Sequence, residues 1–277
     1  MQMLKRDKGP SRFFDRLSRS VHRLLFMDYD GTIAPFHADP GQAVAYPQIG
    51  ELLQKLLDVT NTRLIFVTGR RARNLRRIIP LRPVPEIWGT QGLERLRPDG
   101  DYEQLPISGA QVQRLALVKA RIRSMDIRSC LEQKPGSLAL HWRGLPPSVA
   151  ARDSQAVLAV SSDEVGRNGL RLVRFDGGFE LRVEKYTKGT AVRSALEEAG
   201  EDSVAAYLGD DQPDEEAFSA LRPQDLGVLV RHQLRETAAD LWLKPPQELR
   251  EFLEDWLIAC AGIREERSWN DARERPR

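Results

Sequence analysis

Two textures of hydrophobic patterning alternate along the chain. Short apolar runs at Leu24–Met27, Leu64–Val67, Val204–Leu208 and Leu226–Val230 each end in a polar turn. Runs of that length and uniformity predict strands buried on both faces. Helical periodicity lies between and after them, with Ile49, Leu52, Leu53, Leu56 and Leu57 in one segment and Leu249, Phe252, Leu253, Trp256 and Leu257 in another. Spacings of i, i+3, i+4, i+7 and i+8 place each set on one helix face. Strands alternating with amphipathic helices predict a parallel sheet covered by helices, an α/β fold.

The middle of the chain differs. Leu115, Val118, Ile122 and Met125 predict one amphipathic helix, whereas Leu138, Leu140, Trp142 and then Phe179, Leu181, Val183 alternate with polar residues as half-buried antiparallel strands do. A smaller α+β lobe is therefore expected at 108–183, inserted into a core made of 20–107 and 184–262. The basic segment 1–19 and the very polar 263–277 are expected as flexible termini.

Composition narrows the classes. The 277 residues suffice for about two compact units at roughly 150 residues each. Lys and Arg number 42 against 40 Asp and Glu, so a net charge of +2 gives no strong field for nucleic acid or an anionic membrane. No apolar run approaches the roughly 18 residues of a membrane span. Cys130 and Cys260 stand far apart without metal-ligand spacing, which predicts a reducing, cytoplasmic setting and argues against structural zinc. The N-terminus lacks an apolar signal core, and Asp7 and Asp15 oppose a transit helix. A monomer is expected.

In an open α/β sheet, ligands bind beyond the carboxyl ends of the strands, and the polar clusters of this chain fall there. The first strand runs into Asp28-Tyr29-Asp30-Gly31-Thr32, two acids at i and i+2, so one can attack while the other handles a proton. The second ends in Thr68-Gly69-Arg70, a hydroxyl and a cation suited to phosphoryl oxygens. Lys188-Gly189-Thr190 opens a helical segment, and the third strand ends in Gly209-Asp210-Asp211-Gln212-Pro213-Asp214-Glu215. Oxygen donors in that density favour a hard cation, magnesium above all. Any one motif is commonplace in solvated loops. Together they supply nucleophile, proton donor, phosphate donor, cation and metal ligands, the parts phosphoryl transfer needs.

The four ordered motifs resemble those of the haloacid dehalogenase (HAD) superfamily. Within it, DYDGTIAPF, WGTQGLE, EQKPGSLALHWR, FELRVEKYTKGTA and YLGDDQPDEEAF are similar to the trehalose-6-phosphate phosphatase family, over about residues 22–258. The resemblance implies a Rossmann-like HAD core with a cap at the inserted lobe, and magnesium-dependent hydrolysis of trehalose 6-phosphate through an aspartyl phosphate. Asp28 is then the nucleophile and Asp30 the proton donor, which needs surroundings that raise its pKa above about 3.9. Thr68 donates to the phosphate and Lys188 balances charge. Magnesium is held by the Asp28 side chain, the Asp30 carbonyl and Asp210, with Asp211 and Asp214 as outer orienters, although one of them could ligate directly, and Arg70 as a structural partner.

Sugar contacts are expected from Lys134, His141 and Glu180 of the lobe and from Gly92 and Glu94 of the core, with Arg143 and Glu132 as further candidates. Two positions depart from the family pattern: Gln91 where it has His in GxHGxE, and Pro213 where it has Thr in GDDxTDE. Competing readings are a phosphatase of sucrose, glucosylglycerol or mannosylglycerate phosphate, and a non-catalytic regulatory HAD domain. A phospho-accepting receiver is opposed by the proton donor two residues after the nucleophile and by the inserted lobe.

Overall fold

The computed structural model describes residues 1–5, 9–37, 40–166 and 169–261. Its main sheet has nine strands, and six of them are parallel neighbours in the order Leu241–Leu243, Leu226–Val230, Val204–Gly209, Arg23–Met27, Thr62–Val67, Glu86–Gly89. Because successive side chains point to opposite faces, each strand feeds two cores. Leu25, Met27, Phe66 and Leu208 face the helices Pro47–Val59 and Gln247–Ala261, while Leu24, Phe26, Val67 and Tyr207 face the helix Lys188–Ala199. The four apolar runs are thus buried strands, and the sheet is the parallel one expected of the HAD core.

That strand order brings distant motifs together. Val204–Gly209 and Thr62–Val67 flank Arg23–Met27 on its two sides. The polar turns after all three therefore emerge side by side at one end of the sheet.

Two short antiparallel strands, Glu94–Leu96 and Tyr102–Gln104, finish the edge, and from there the chain enters the second lobe. Helix Gly109–Arg123 starts at a capping box in which Ser108 and Gln111 satisfy each other's backbone N–H groups. A four-stranded antiparallel sheet follows in the order Cys130–Lys134, Ser137–His141, Gly178–Val183, Leu170–Phe175. Leu138, Leu140, Phe179 and Leu181 pack on Leu115, Val118, Ile122 and Val157. Alternation then turns Glu180 to the opposite face, toward the main sheet. The two crossings between lobes touch, since the Tyr186 hydroxyl donates to the Pro106 carbonyl at 2.6 Å.

The N-terminus departs from the expectation of a flexible segment. Gln2–Met3 pairs antiparallel with Leu241–Leu243, and Pro10–Arg19 is a helix that buries Phe13, Phe14 and Leu17. Phe13 meets Trp256 at 5.9 Å between ring centroids, and Phe14 meets Phe252 at 5.4 Å. Three large apolar groups on one stripe outweigh the polar average of the segment. The expected flexible tail, 263–277, lies outside the described residues. No helix among the described residues is long and apolar enough to cross a membrane.

Candidate active site

Asp28 continues the first strand, its N–H donating to the Leu208 carbonyl at 2.8 Å. The chain then turns sharply at Gly31, whose φ of 86° suits glycine. A β-carbon there would lie 2.2 Å from Asp210 Oδ2, so glycine also lets the first loop lie against the acidic one. Thr32 completes that junction by donating to Asp210 Oδ1 at 3.2 Å.

Lys188 stands at the start of its helix, where Thr187 and Thr190 form a capping box. Its ammonium bridges Asp28 Oδ2 at 3.0 Å and Asp214 Oδ1 at 2.8 Å. Asp28, Asp210 and Asp214 each offer a carboxylate oxygen within 4.8 Å of the others, and all three are buried. One ammonium does not neutralise three carboxylates. Burial pushes the Asp28 carboxyl up to about 7, with Lys188 opposing and Asp214 and Asp30 adding to the rise. Asp210 is raised well above the usual range by burial and then by Asp28 and Asp214. Burial also works against the charge on Lys188, yet Asp214 and Asp28 hold its pKa above the ordinary lysine value.

The three acids differ in what they have left to give. Asp214 accepts from Lys188 and the Tyr207 hydroxyl on Oδ1, and from the N–H groups of Asp210 and Asp211 on Oδ2. With both oxygens occupied, it organises the loop rather than offering itself to a cation. Asp28 and Asp210 keep acceptor capacity, and with the surplus of negative charge they fit a hard divalent cation such as magnesium. Asp211 turns away from this cluster, and its Oδ2 accepts from the Asp176 N–H of the second lobe at 2.6 Å. Pro213 sits in the first turn of the short 3-10 segment Gln212–Asp214, where its fixed φ is tolerated.

Thr68 is buried, and its hydroxyl oxygen accepts from the Arg70 N–H at 3.1 Å, which leaves the hydroxyl proton for an anion. Arg70 grips the second acid of the first motif. Its Nε and Nη2 donate to the two Asp30 oxygens at 2.5 and 2.6 Å, a bidentate fork. The expected structural partner of the loops is therefore the direct partner of the expected proton donor.

A cavity of about 210 Å³ opens above these groups. Asp28, Thr68, Arg70 and Lys188 form its floor, and Lys134, His141, Arg143 and Glu180 of the second lobe form its opposite wall. Lys134 and Glu180 pair at 2.7 Å, both nearly inaccessible, and His141 Nε2 meets Glu132 Oε2 at 2.9 Å. Burial alone would raise the Glu180 carboxyl, but Lys134 and Arg182 bring it down to about 2. The His141 hydrogen bond likewise lowers Glu132. Arg143 lies over the Phe36 ring at 3.9 Å.

Two expected sugar contacts are not brought to the cavity. Glu94 is fully buried, its oxygens taken by Arg71, the Ala72 N–H, Thr90 and Tyr102. Gly92 packs on the Thr187 carbonyl, 2.6 Å from where its β-carbon would be. Gln91, absent from the expected contacts, lines the cavity instead. Its departure from the family motif was the sequence signal.

Comparison with known proteins gives the family. The family model for trehalose-phosphatase matches residues 26–244, most of the chain and all four motifs. The chain belongs to the trehalose-phosphatase family. It is 33% identical over 251 residues to the trehalose-phosphate phosphatase of Mycobacterium leprae, covering 83% of this chain and 56% of that protein. The chain thus spans little more than half the length of that relative. Among solved structures, the C-terminal domain of the Candida albicans trehalose-6-phosphate phosphatase superposes with a TM-score of 0.74 at 20% identity, covering 93% of this chain and 98% of that one. A haloacid dehalogenase-like hydrolase from Bacillus subtilis superposes at 0.58 with 14% identity over 83% and 98%. At such identities the likeness speaks for the fold alone, which this chain shares with both.

Proposed function

We propose that this chain is a magnesium-dependent phosphatase that hydrolyses trehalose 6-phosphate to trehalose and phosphate, with Asp28 as nucleophile. The observation that carries this reading is Asp28 held by Lys188 on the floor of a cavity whose far wall is built of polar side chains from the inserted lobe. Lys188 keeps Asp28 aimed and offsets its charge against an incoming phosphate dianion. Thr68 donates its hydroxyl proton to a phosphoryl oxygen. Asp28, Asp210 and the Asp30 carbonyl would hold magnesium, which would supply the positive charge that lets two anions meet.

Attack by Asp28 Oδ forms an aspartyl phosphate while Asp30 gives its proton to the departing sugar oxygen. Asp30 then takes a proton from the water that hydrolyses the acyl phosphate, a faster reaction than direct monoester hydrolysis. Each Asp30 oxygen accepts one N–H from Arg70 and keeps a second lone pair for the proton it passes.

The inserted lobe acts as the cap. Lys134 Nζ donates to the Gly69 carbonyl at 3.0 Å and Asp176 N–H to Asp211, so its wall is docked on the loops that carry the chemistry. Lys134, His141, Arg143 and Glu180 offer a disaccharide the convergent hydrogen bonds that a bare phosphate site lacks. A regulatory, non-catalytic role is opposed by the intact Asp28, Asp30, Lys188 and Asp210. The same reading takes the protein as a cytoplasmic monomer, and the two unpaired cysteines support a reducing compartment. The test is phosphate release from trehalose 6-phosphate by the purified chain with magnesium. Turnover that is lost in Asp28→Asn supports the reading, and near-normal turnover in that variant overturns the covalent route.

A further inference from the structure

We propose that Gln91 is a positioning residue that makes sugar recognition depend on closure of the cap, by holding Glu180 from the core side of the joint. The inference rests on the sugar-phosphatase reading above and deepens it. Gln91 Nε2 donates to Glu180 Oε2 at 3.3 Å, whereas Lys134 and Ser137, both on the cap, hold Glu180 through Oε1. The second oxygen of this cap carboxylate is thus addressed from the core. Gln91 and Glu180 both line the main cavity, and both also line a small one inside the joint, so the contact sits at the corner where cap, core and ligand space meet.

The backbone aims the side chain there. Thr90 and Gln91 occupy consecutive left-handed conformations, with φ of 47° and 59°, which β-branched and long side chains rarely adopt. Two hydrogen bonds enforce them: Thr90 N–H donates to the Arg70 carbonyl at 2.7 Å and Gln91 N–H to the Thr68 carbonyl at 2.9 Å. The loop that presents Gln91 is therefore fixed to the loop that carries Thr68 and Arg70. Gly69 makes room for the amide, since a β-carbon on it would lie 2.9 Å from Gln91 Nε2. The Gly69 carbonyl in turn accepts from Lys134. Gly69, Lys134, Glu180 and Gln91 close a ring across the joint, two members from each lobe.

The chemistry of the amide fixes its direction and its strength. Turned over, Gln91 would set a carbonyl oxygen against the Glu180 carboxylate, so Nε2 faces Glu180 and Oε1 faces away. Oε1 is buried and has no hydrogen-bond partner among the described residues. The joint thus combines one long hydrogen bond with one unsatisfied acceptor, a contact that forms on closing and parts readily on opening. When the lobes separate, Glu180 keeps Lys134 and Ser137 on Oε1 but loses the core-side restraint on Oε2. Recognition of sugar hydroxyls by Glu180 is then complete only in the closed form. An amide does this without titrating, so the latch carries no charge of its own.

The experiment measures kcat and KM of the wild type, Gln91→Met and Gln91→His on trehalose 6-phosphate and on p-nitrophenyl phosphate, which has the phosphate without the sugar. Methionine matches the length of glutamine and removes the donor, while histidine restores an N–H. The ratio of kcat/KM between the sugar ester and the aryl ester is expected to fall about tenfold in Gln91→Met, mainly through KM, and to recover at least half-way in Gln91→His. An unchanged ratio, or a fall in Gln91→His as deep as in Gln91→Met, overturns the proposal. Should Gln91→Met fail to fold by circular dichroism, Gln91→Asn keeps the amide one methylene short of Glu180 and is expected to show the same fall. If the wild type hydrolyses the aryl ester but not trehalose 6-phosphate, the functional reading fails instead, and the same ratio is read on the sugar phosphate that is turned over.

Discussion

Replacing Arg70 with alanine tests the pairing that bears most directly on proton transfer. The fork from Arg70 fixes both oxygens of Asp30 through two charge-assisted hydrogen bonds of 2.5 and 2.6 Å, and the arginine side chain is only 13% exposed. Its removal takes away the fork that aims the Asp30 carboxylate, which hinders proton delivery. A displacement of about 1 Å can cost on the order of a hundredfold in rate, and a positioned general acid contributes about 10² to 10⁴. No other side chain among the described residues holds the Asp30 carboxylate, so its orientation is lost with Arg70. Arg70→Ala is therefore expected to lower kcat/KM for trehalose 6-phosphate by about 10 to 100-fold. For p-nitrophenyl phosphate, whose phenolate departs without a proton, the loss in kcat/KM is expected to be much smaller. Arg70→Lys restores little, since an ammonium cannot form the fork. Steady-state kinetics across phosphate esters of graded leaving-group basicity give the answer. Equal loss on both esters would instead assign Arg70 to the phosphate, and a faster sugar-phosphate reaction would make the pair an inhibitory lock.

Three further outcomes follow from the same geometry. In metal-free protein the Asp28 carboxyl is pushed up to about 7, above its ordinary value of 3.8, so burying its charge costs stability that grows as pH rises between those values. Asp28→Asn is expected to raise the melting temperature of the metal-free protein at pH 8 more than at pH 4; an equal shift at both contradicts the assignment. Magnesium is expected to raise the wild-type melting temperature more at pH 8 than at pH 5.5, because below about 7 it must displace a proton, and a shift independent of pH speaks against Asp28 as a ligand. Phe14→Ala is expected to cost about 3 to 5 kcal/mol in urea unfolding, given its burial against Phe252, while a change below about 1 kcal/mol would mean that the N-terminal helix does not belong to the core.

Much of the architecture was legible because it rests on local rules. The runs at Leu24, Leu64, Val204 and Leu226 are continuous and short, as strands buried on both faces require. The motif residues at their ends are contiguous in sequence, so the turn carries them to the sheet edge together. The N-terminal helix escaped because Phe13, Phe14 and Leu17 are diluted among arginines, and average composition hides a stripe. Other features depend on pairings between distant residues. Arg70 and Asp30 lie 40 residues apart, and nothing in either motif says that the cation belongs to the acid. Glu94 reads as a ligand from its motif, yet four donors from its surroundings occupy it. Asp214 and Asp210 look alike in GDDQPDE, and it takes the folded donors on Asp214, from Lys188, Tyr207 and two backbone N–H groups, to separate organiser from candidate ligand. The role of Gln91 needed both the left-handed loop and the approach of Glu180 from the other lobe.

Phosphate release by the purified chain across a panel of sugar phosphates decides whether the cavity selects trehalose 6-phosphate. Trehalose 6-phosphate, sucrose phosphate, glucosylglycerol phosphate and mannosylglycerate phosphate are compared with magnesium and again with EDTA. The highest kcat/KM is expected on trehalose 6-phosphate, by about tenfold or more over the others, with loss of that activity on chelation. A higher kcat/KM on another ester, full activity in EDTA, or no release from any ester by folded protein would contradict this expectation.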